Sequence, residues 1–396
     1  MGYLVLLFVL LALAASVFVA VVIRKRNMHI WLPAYLRRRS RPAHEGPTHV
    51  MFMFVDHFEP MWHGADAATQ RARVERWSRE YVCLASRHRD ADGRPPQHTF
   101  FYPEEEYTEE HLDAVAEICR KGYGEIEVHL HHDNDTQENF LRSVDGFCRT
   151  LHERHGALSK DPVTGKLAFG FIHGNWCLDN SRGDGRWCGL NNELTLLREL
   201  GCYADFTMPS APSDTQTATI NSIYYATDDA CRPKSHNTGV PVRRDGAPSG
   251  DLLIMQGPLA LNWRRRRGLM PRIENSDIRK SNPPLEDRVD LWVETGIHVQ
   301  GRPEWVFVKI HTHGTQDEDM DTLLGAPMEA MHRHLETRYN DGKSFVLHYV
   351  SSRETYNIIK AAEAGKAGNP HDYRDFHLPP PKASWAGGRS ASVGDQ

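Results

Sequence analysis

The chain has 396 residues, with 47 Lys and Arg against 52 Asp and Glu, so its formal net charge is −5. About 40% of the residues are hydrophobic and 25% are charged, which excludes a largely disordered, collagen-like or multi-span membrane protein. Residues 1–44 contain seven basic residues and no acidic one, which leaves 40 basic and all 52 acidic residues, a net charge of −12, for the remainder. Because phosphate binding needs a concentrated basic surface, we expect no nucleic-acid partner.

The first predicted element is a membrane anchor at residues 1–23. Residues 3–23 carry no charge over 21 positions, and a helix of that length spans roughly 30 Å, the hydrocarbon thickness of a bilayer. A signal peptide has basic residues before a shorter apolar run, whereas here Arg24, Lys25 and Arg26 follow it. The sequence therefore predicts a single-pass protein of the inner (plasma) membrane. The positive-inside rule predicts a cytoplasmic body, with a periplasmic or extracellular body as the alternative.

Residues 24–47 are predicted to form a basic juxtamembrane linker. Two basic clusters flank the segment MHIWLPAYL, in which Trp31 and Tyr35 are suited to the lipid headgroup layer. We therefore expect this stretch to lie on the anionic membrane surface.

Strands and helices alternate through the predicted globular region, residues 48–365. Hydrophobic patterning and helix start and stop signals predict strands at 49–58, 98–103, 125–132, 167–174, 202–209, 251–261, 305–314 and 344–351, and helices at 66–90, 104–122, 136–156, 191–200, 322–338 and 352–365. Residues 209–250, rich in Pro, Ser, Thr, Asn and Gly, are predicted to form a long excursion, and residues 366–396 a disordered tail. This order predicts an α/β fold whose seven or eight parallel strands form a barrel.

The seven cysteines are scattered and contain no Cys-x-x-Cys pair, which argues against a zinc ribbon or a dense disulfide framework. Cys177 and Cys188 could bridge a short loop, but reduced thiols are the simpler expectation. No phosphate-binding glycine motif is present, which disfavours nucleotide-dependent chemistry.

Histidine and acidic residues gather at the ends of four predicted strands. These residues are Asp56, His57 and Glu59; Glu127, His129, His131, His132 and Asp135; His173, followed by Asn175; and His311 and His313, preceded by Lys309. Strand alternation puts Glu127, His129 and His131 on one face. The carboxyl ends of barrel strands converge on one site, and imidazole with carboxylate is the usual ligand set for Zn, Mn, Fe, Co or Ni. The pattern therefore predicts a divalent metal site.

Structural roles stay open for several of these residues. His129 lies deep enough in its strand to pack or to support a ligand, and His132 has the opposite parity and is expected in a loop. Asp135 could cap the following helix. Glu59 precedes a proline, which is typical of a turn.

With these residues the chain resembles the polysaccharide deacetylase superfamily over roughly residues 48–360. The family's first motif, Thr-Phe-Asp-Asp, is matched by Phe54-Val55-Asp56-His57, and its His-x-x-x-His motif by His131 to Asp135, or alternatively by His129 and His132. Its third motif falls at residues 171–174 and its Leu-x-His motif at residues 310–313.

The resemblance implies a distorted (β/α) barrel and a metal-dependent deacylase that acts on a polysaccharide or a lipid-linked sugar. It implies that Asp56 is the base that activates water and that His311 or His313 is the acid, with His173 in the same catalytic set. The implied metal donors are Asp56, His57, His129, His131 and Asp135, with zinc as the first choice of divalent metal and Mn, Fe, Co or Ni as alternatives. The residues expected to contact the sugar are Trp62, Trp176, Asn175 and Trp187.

Two other functions stay open. A glycoside hydrolase of related topology would need two carboxylates on the site face, for which Asp56, Glu59, Glu127 and Asp179 are candidates. A non-catalytic glycan-binding protein of an exopolysaccharide assembly is the other. The sequence leaves the oligomeric state open.

Overall fold

A computed structural model of the chain describes residues 2–384, with the backbone alone at position 267. The helices are α1 (Gly2–Lys25), α2 (Met28–Arg37), α3 (Ala67–Ala85), α4 (Glu109–Arg120), α5 (Gln137–His155), α6 (Glu193–Leu200), α7 (Glu286–Thr295), α8 (Asp317–Leu323), α9 (Ala326–Arg338) and α10 (Ser352–Glu363). The strands are β1 (Thr48–His57), β2 (His98–Pro103), β3 (Gly124–Leu130), β4 (Ser159–Lys160), β5 (Leu167–His173), β6 (Cys202–Asp205), β7 (Ile223–Ala226), β8 (Val240–Pro241), β9 (Leu252–Met255), β10 (Ala260–Arg267), β11 (Met270–Glu274), β12 (Trp305–Thr312) and β13 (Phe345–Val350).

One large, mostly parallel sheet organises the body, which confirms the predicted α/β class. Its strand order is β12-β1-β2-β3-β5-β6-β9-β7-β8, and β13 pairs with the first half of β1. The structure does not show the predicted barrel, because no ladder between described residues joins the two ends of this sheet. Strand β7 comes from the predicted excursion and pairs antiparallel with β9, so the edge of β9 that could have met β12 is already occupied.

Alternation along the strands separates two apolar cores. In β1, Val50, Phe52 and Phe54 belong to one buried cluster, and Met51, Met53 and Val55 belong to another. The first cluster also holds Ile126, Val128 and Leu130 of β3, together with Val306, Val308 and Ile310 of β12. We call this side of the sheet the first face and the opposite side the second face. Residues of odd number in β1, β3 and β12 therefore point to the second face.

The N-terminal helix α1 is long and apolar enough to cross a membrane, with a mean hydropathy of 3.1 and no buried residue. The following linker differs from the prediction, because Trp31 and Tyr35 of α2 are buried against Leu259 and Ala260 of the body. The Tyr35 hydroxyl also accepts a hydrogen bond from the backbone N–H of Leu261 at 3.2 Å. Helix α2 is therefore part of the folded body.

The C-terminal segment also differs from the prediction, since residues 366–384 pack on the body. Leu378 and Ala383 are buried, and Ala383 donates its backbone N–H to Gly156 at 2.8 Å. The rest of the predicted disordered tail, residues 385–396, lies outside the described residues.

Three internal elements also depart from the predicted boundaries. The strand predicted at 251–261 is divided between β9 and β10, and β10 forms a hairpin with β11. Helix α7 follows where no element was predicted. The helix predicted at 322–338 is divided at Gly325 into α8 and α9.

Candidate metal centre

Four histidines surround the carboxylate of Glu59 at the carboxyl ends of β1, β3 and β12. The Nε2 atoms of His129 and His131 lie 3.2 and 3.4 Å from Glu59 Oε1. The ligand atoms of His57, Glu59 and His313 lie within 4.8 Å of one another, as do those of Glu59, His129 and His131. We call these five residues the Glu59 centre.

Strand parity brings these side chains together. His57 and His129 occupy odd positions of β1 and β3 and point to the second face, as alternation predicts. His131 follows β3 and His313 follows β12, each two positions beyond a residue of that face. Glu59 is likewise two residues beyond His57 in the chain.

Hydrogen bonds at Nδ1 fix the orientation of two of these rings. His129 donates its Nδ1–H to the carbonyl of Ile172 at 2.7 Å, and His131 donates its Nδ1–H to Glu105 Oε1 at 2.5 Å. The tautomers follow from these acceptors, and both Nε2 atoms are left facing Glu59. A carboxylate or carbonyl behind each histidine is the arrangement that orients metal-binding imidazoles in proteins.

The charges of Glu59 and His131 depend on each other. Burial would raise the pKa of Glu59, but hydrogen bonds from His129 and His131 lower it below its usual range. Burial would lower the pKa of His131, but Glu105 and Glu59 raise it to about 10. Glu59 Oε2 is buried and has no hydrogen-bond partner among the described residues. An ionised carboxylate buried as Glu59 is must be paired with a positive charge. Either a protonated imidazole or a divalent cation can supply that charge.

His57 and His313 form the other side of the centre. Their rings stack with centroids 4.6 Å apart and an angle of 24° between planes. Burial, followed by the neighbouring His313 and His129, lowers the pKa of His57 well below its ordinary value. His57 is therefore neutral near pH 7, which is the form that coordinates metals.

Glu59 is buried at the base of the centre, and the rings of Trp176 and Trp62 border its open side; we call these two indoles the rim. Glu59 is only 3% exposed, whereas the side chain of His131 is 29% exposed. The Trp176 ring lies 5.7 Å from His57 and 5.5 Å from His313, and the Trp62 ring lies 6.1 Å from His313. His131 and the two indoles therefore mark the side from which a solute would reach the centre.

A cavity of about 370 Å³ adjoins this rim at Trp176. Its lining includes four residues that the sequence assigned to catalysis or substrate contact, namely Asn175, Trp176, Trp187 and His311, together with Arg182 and Arg279. His311 is buried, and its Nδ1 has no hydrogen-bond partner among the described residues. The Arg182 guanidinium stacks on the Trp187 ring at 4.1 Å. The structure therefore gathers these predicted residues around one cavity.

Asp56, the predicted base and ligand, lies on the first face and outside the Glu59 centre. Its Oδ1 accepts the backbone N–H of Gly314 at 2.5 Å, and its Oδ2 lies 2.8 Å from His98 Nε2. Both carboxylate oxygens are therefore engaged by protein groups. The physical reason is strand alternation. His57 points to the second face, so its neighbour Asp56 must point to the first face.

His173 and Asp135 also lie outside the Glu59 centre. His173 has the parity of Phe171, a first-face residue, and its Nε2 lies 2.8 Å from His132 Nε2. Asp135 Oδ2 lies 3.1 Å from His132 Nδ1. His173 and His132 belong to a second group that also contains Cys188 and Glu193, and Asp135 lies beside that group.

The sequence analysis did not assign two carboxylates to the metal site, since it gave Glu59 a turn role or a glycosidase role and did not single out Glu105. Glu59 could have been found, because it follows His57 by two residues and an extended chain puts such residues on the same side. Glu105 gave no such signal, since it lies in a short turn after β2. The other candidate carboxylates have structural partners: Glu127 accepts hydrogen bonds from Tyr203 and Gly170, and Asp179 accepts one from Ser235.

No protein-family model matches the sequence, and no curated protein matches it.

Proposed function

We propose that this chain is a membrane-anchored, metal-dependent hydrolase that removes acyl groups from a carbohydrate. The observation that carries the proposal is the Glu59 centre, whose oriented histidines lie beside a cavity lined with indole rings. Imidazole and carboxylate donors suit a divalent metal, with zinc as the first choice.

The donor set fits such a metal because the Nε2 atoms of His129 and His131 converge on Glu59 Oε1, while Glu59 Oε2 is buried without a hydrogen-bond partner among the described residues. Glu59, His129 and His131 would hold the metal on one side, and His57 and His313 on the other. A divalent cation held there would polarise the acyl carbonyl and lower the pKa of a bound water.

Two groups of this chain are assigned to proton transfer. Glu59 Oε2, which has no hydrogen-bond partner among the described residues, would take the proton of the attacking water. His311 lines the adjoining cavity, and its Nδ1 has no hydrogen-bond partner among the described residues. Burial lowers the pKa of His311 to about 3, so it would hold the proton taken from the water only transiently before giving it to the departing amine or alkoxide. Asp56 would not be the base that the resemblance implies. It would instead position Gly314, and with it His313, by accepting the Gly314 N–H.

The substrate assignment rests on the rim. Trp176 and Trp62 would stack on sugar rings, because indoles offer large apolar faces to the C–H faces of a pyranose. The apolar helix α1 would hold the enzyme near a lipid-linked sugar or a growing polysaccharide, with the body in the cytoplasm by the positive-inside rule.

A deacetylase-type barrel is part of the same proposal. The parallel strands β1, β2, β3, β5, β6 and β9 neighbour one another in chain order, and β12 returns to pair with β1. This is the succession that a distorted (β/α) barrel with one unpaired seam would have.

The test uses the full chain purified in detergent. Metal content and acetate release from acetylated oligosaccharides are measured for the wild type and for Glu59→Gln, His131→Asn and His29→Ala. His29 is an exposed histidine of α2 and serves as the matched control. We expect the first two variants to lose activity by at least 100-fold and to bind metal more weakly, and His29→Ala to behave as wild type.

Full acetate release by His131→Asn protein freed of metal would contradict the mechanism. A wild type that holds metal but releases no acetate from any N- or O-acetylated glycan would contradict the substrate class.

A further inference from the structure

A second cluster of metal-ligating side chains lies on the first face of the sheet, behind the Glu59 centre. It contains His132, His173, Cys188 and Glu193, whose ligand atoms all lie within 4.8 Å of one another. Adjacent residues His131 and His132 point to opposite faces, so the end of β3 supplies one histidine to each cluster.

We propose that these four residues form a second metal site, a closed structural zinc site distinct from the Glu59 centre. It would be independent of the proposed hydrolase activity, because it offers four protein donors and no exposed position. His173, Cys188 and Glu193 are fully buried, and the side chain of His132 is 6% exposed. Structural zinc sites are four-coordinate and closed, whereas catalytic sites keep a position open.

The donor distances suit a small tetrahedral cation. His132 Nε2 lies 2.8 Å from His173 Nε2 and 3.2 Å from Glu193 Oε1, and His173 Nε2 lies 3.5 Å from the same oxygen. Cys188 Sγ lies 3.5 Å from Glu193 Oε2. Donors around a tetrahedral zinc with ordinary bond lengths are separated by roughly 3.2–3.8 Å, so small side-chain movements bring all four into range.

An oxygen atom lies behind the ring of each histidine, although only His173 makes an aligned hydrogen bond to it. His173 donates its Nδ1–H to the carbonyl of Gly174 at 2.5 Å, and the other nitrogen of His132 lies 3.1 Å from Asp135 Oδ2. Their Nε2 atoms therefore converge on one point. Asp135, which the sequence assigned as a ligand, would orient a ligand instead.

Two backbone hydrogen bonds at the sulfur of Cys188 would support a metal-bound thiolate, although burial and the neighbouring Glu193 raise the pKa of the free thiol. The backbone N–H groups of Asn180 and Leu190 point at Sγ, at 3.3 and 3.5 Å. Hydrogen bonds from backbone N–H groups stabilise an anion more than a neutral thiol. One thiolate and the Glu193 carboxylate together carry the two negative charges that neutralise a divalent cation.

The loop that contains Cys188 passes very close to residues 133–135, which follow β3. Asp135 donates its backbone N–H to the carbonyl of Cys188 at 2.9 Å, and Trp187 donates its N–H to Asp133 Oδ1 at 2.6 Å. Gly189 has φ +104°, and a Cβ there would lie 2.6 Å from the Asp135 nitrogen. The site would thus tie β3, β5, the loop after β5 and helix α6 together, much as a disulfide would.

In the alternative arrangement no metal is bound. A protonated His132 then pairs with its neighbours His173, Glu193 and Asp135. Zinc and the proton are distinguished by sulfur coordination, which only the metal produces. The test therefore measures X-ray absorption at the zinc edge of the zinc-loaded full chain in detergent, with two zinc ions per chain expected. A sulfur scatterer at about 2.3 Å should be present.

Variants then assign that sulfur. After cobalt replaces zinc, the wild type should show a thiolate-to-cobalt charge-transfer band. Cys188→Ser should lose that band and one of two metal equivalents, while Cys177→Ser, a change at another buried cysteine of the same loop, should keep both. Glu59→Gln should retain the band, which separates this site from the proposed hydrolase.

Zinc with only nitrogen and oxygen neighbours in the wild type would overturn the proposal even if a variant failed to fold. So would a Cys188→Ser chain that keeps both equivalents and the charge-transfer band.

Discussion

Gly314 donates its backbone N–H to Asp56 Oδ1 at 2.5 Å, which ties the residue after His313 to the end of β1. His98 holds the other carboxylate oxygen of Asp56, and the Trp77 indole donates to the carbonyl of Gly314 at 2.9 Å. Both polar groups of the Gly314 backbone are therefore bonded from the first face of the sheet. This arrangement sets the direction of His313 on the second face, so a first-face residue positions a donor of the Glu59 centre.

Substitution of Gly314 is predicted to disturb His313 before it unfolds the protein. A Cβ at this position would lie 2.0 Å from Asp56 Oδ2, so Gly314→Ala must displace either the carboxylate or the loop. Overpacking of this kind costs about 1–3 kcal/mol. We expect at least a tenfold loss of metal affinity at the Glu59 centre, measured by competition with a chromophoric chelator.

Gly146→Ala is the matched control for that experiment. Gly146 lies inside helix α5, with nothing within 4 Å of the position its Cβ would take. Replacing a helix-interior glycine by alanine should stabilise the protein by about 0.5–1 kcal/mol and leave metal affinity unchanged. Equal metal affinities for Gly314→Ala and the wild type would contradict the positioning role of this loop.

Asp56→Asn separates a positioning role from a catalytic one. The amide oxygen of the variant can still accept the Gly314 N–H, and His98 can accept the amide N–H because its own Nδ1 has no hydrogen-bond partner among the described residues. We therefore expect acetate release within about tenfold of wild type, since the geometry survives. Asp56→Ala leaves buried groups unpaired and should cost about 1–3 kcal/mol of stability.

The measurement for this pair is kcat and KM for acetate release, together with urea unfolding. If Asp56 were the general base, Asp56→Asn would abolish kcat without changing stability. That outcome would restore the role that the resemblance gave to Asp56.

Local periodicity predicted most of the sheet but could not predict that the two ends of the sheet stay apart. Alternation located β1, β3, β5 and β12 and correctly separated Ile126, Val128 and Leu130 from His129. The edge of β9 is taken by β7, a strand of only four residues in a segment without a clear apolar pattern. Pairing of so short a strand depends on tertiary packing, which single-sequence patterns do not contain.

The same limit applies to the candidate site. Strand alternation correctly predicted that His129 and His131 share a face. The same alternation puts Asp56 on the opposite face from His57, but the family resemblance assigned both residues to one site. Met28, Trp31 and Tyr35 are spaced as a helix needs in order to bury one face, and this spacing suits a membrane surface and a protein groove equally. Only the presence of Leu259 and Ala260 beneath α2 decides between them.

Two truncations test where the anchor ends and the body begins. A chain starting at Asn27 lacks α1 but keeps α2, and we expect it to remain in solution without detergent with unchanged metal content. A chain starting at Arg38 also lacks Trp31, which is fully buried in the wild type. Losing the apolar contacts of α2 should cost a few kcal/mol, visible as a lower urea midpoint or as aggregation. Equal midpoints for the two chains would show that α2 does not stabilise the body.

Because Glu329 is ionised and paired in the folded protein, the free energy of unfolding should decrease at acid pH. The Glu329 carboxylate pairs with Arg87 at 2.6 Å, Arg333 at 3.1 Å and His88 at 3.3 Å. The hydrogen bond from Arg87 is the main reason that the pKa of Glu329 is lowered from 4.5 to about 2. A lowered pKa in the folded state gives stability that is fully present above about pH 4.5 and is lost as the pH falls toward 2.

Glu329→Gln should therefore cost about 1 kcal/mol at pH 7, and the difference from wild type should shrink progressively below pH 4.5. Urea unfolding at pH 7, 5, 4 and 3.5 measures this trend. Glu153→Gln, a change at an exposed glutamate of α5, should show no such trend. A difference for Glu329→Gln that is constant from pH 7 to 3.5 would mean that the ion pairs do not contribute.

Arg374 is predicted to hold the C-terminal segment that the sequence assigned to a disordered tail. Its buried guanidinium contacts Glu354 at 3.0 Å, Asp92 at 3.1 Å and Asp90 at 3.2 Å, and donates to the carbonyl of Tyr349 at 2.7 Å. Removing one partner of a buried charge network leaves the others uncompensated and costs about 3–5 kcal/mol. Arg374→Ala should therefore lower the urea midpoint strongly and open residues 366–384 to proteolysis, whereas Arg154→Ala, at an exposed arginine of α5, should stay within about 0.5 kcal/mol of wild type. A wild-type protease pattern for Arg374→Ala would mean that apolar contacts such as those of Leu378 hold the segment on their own.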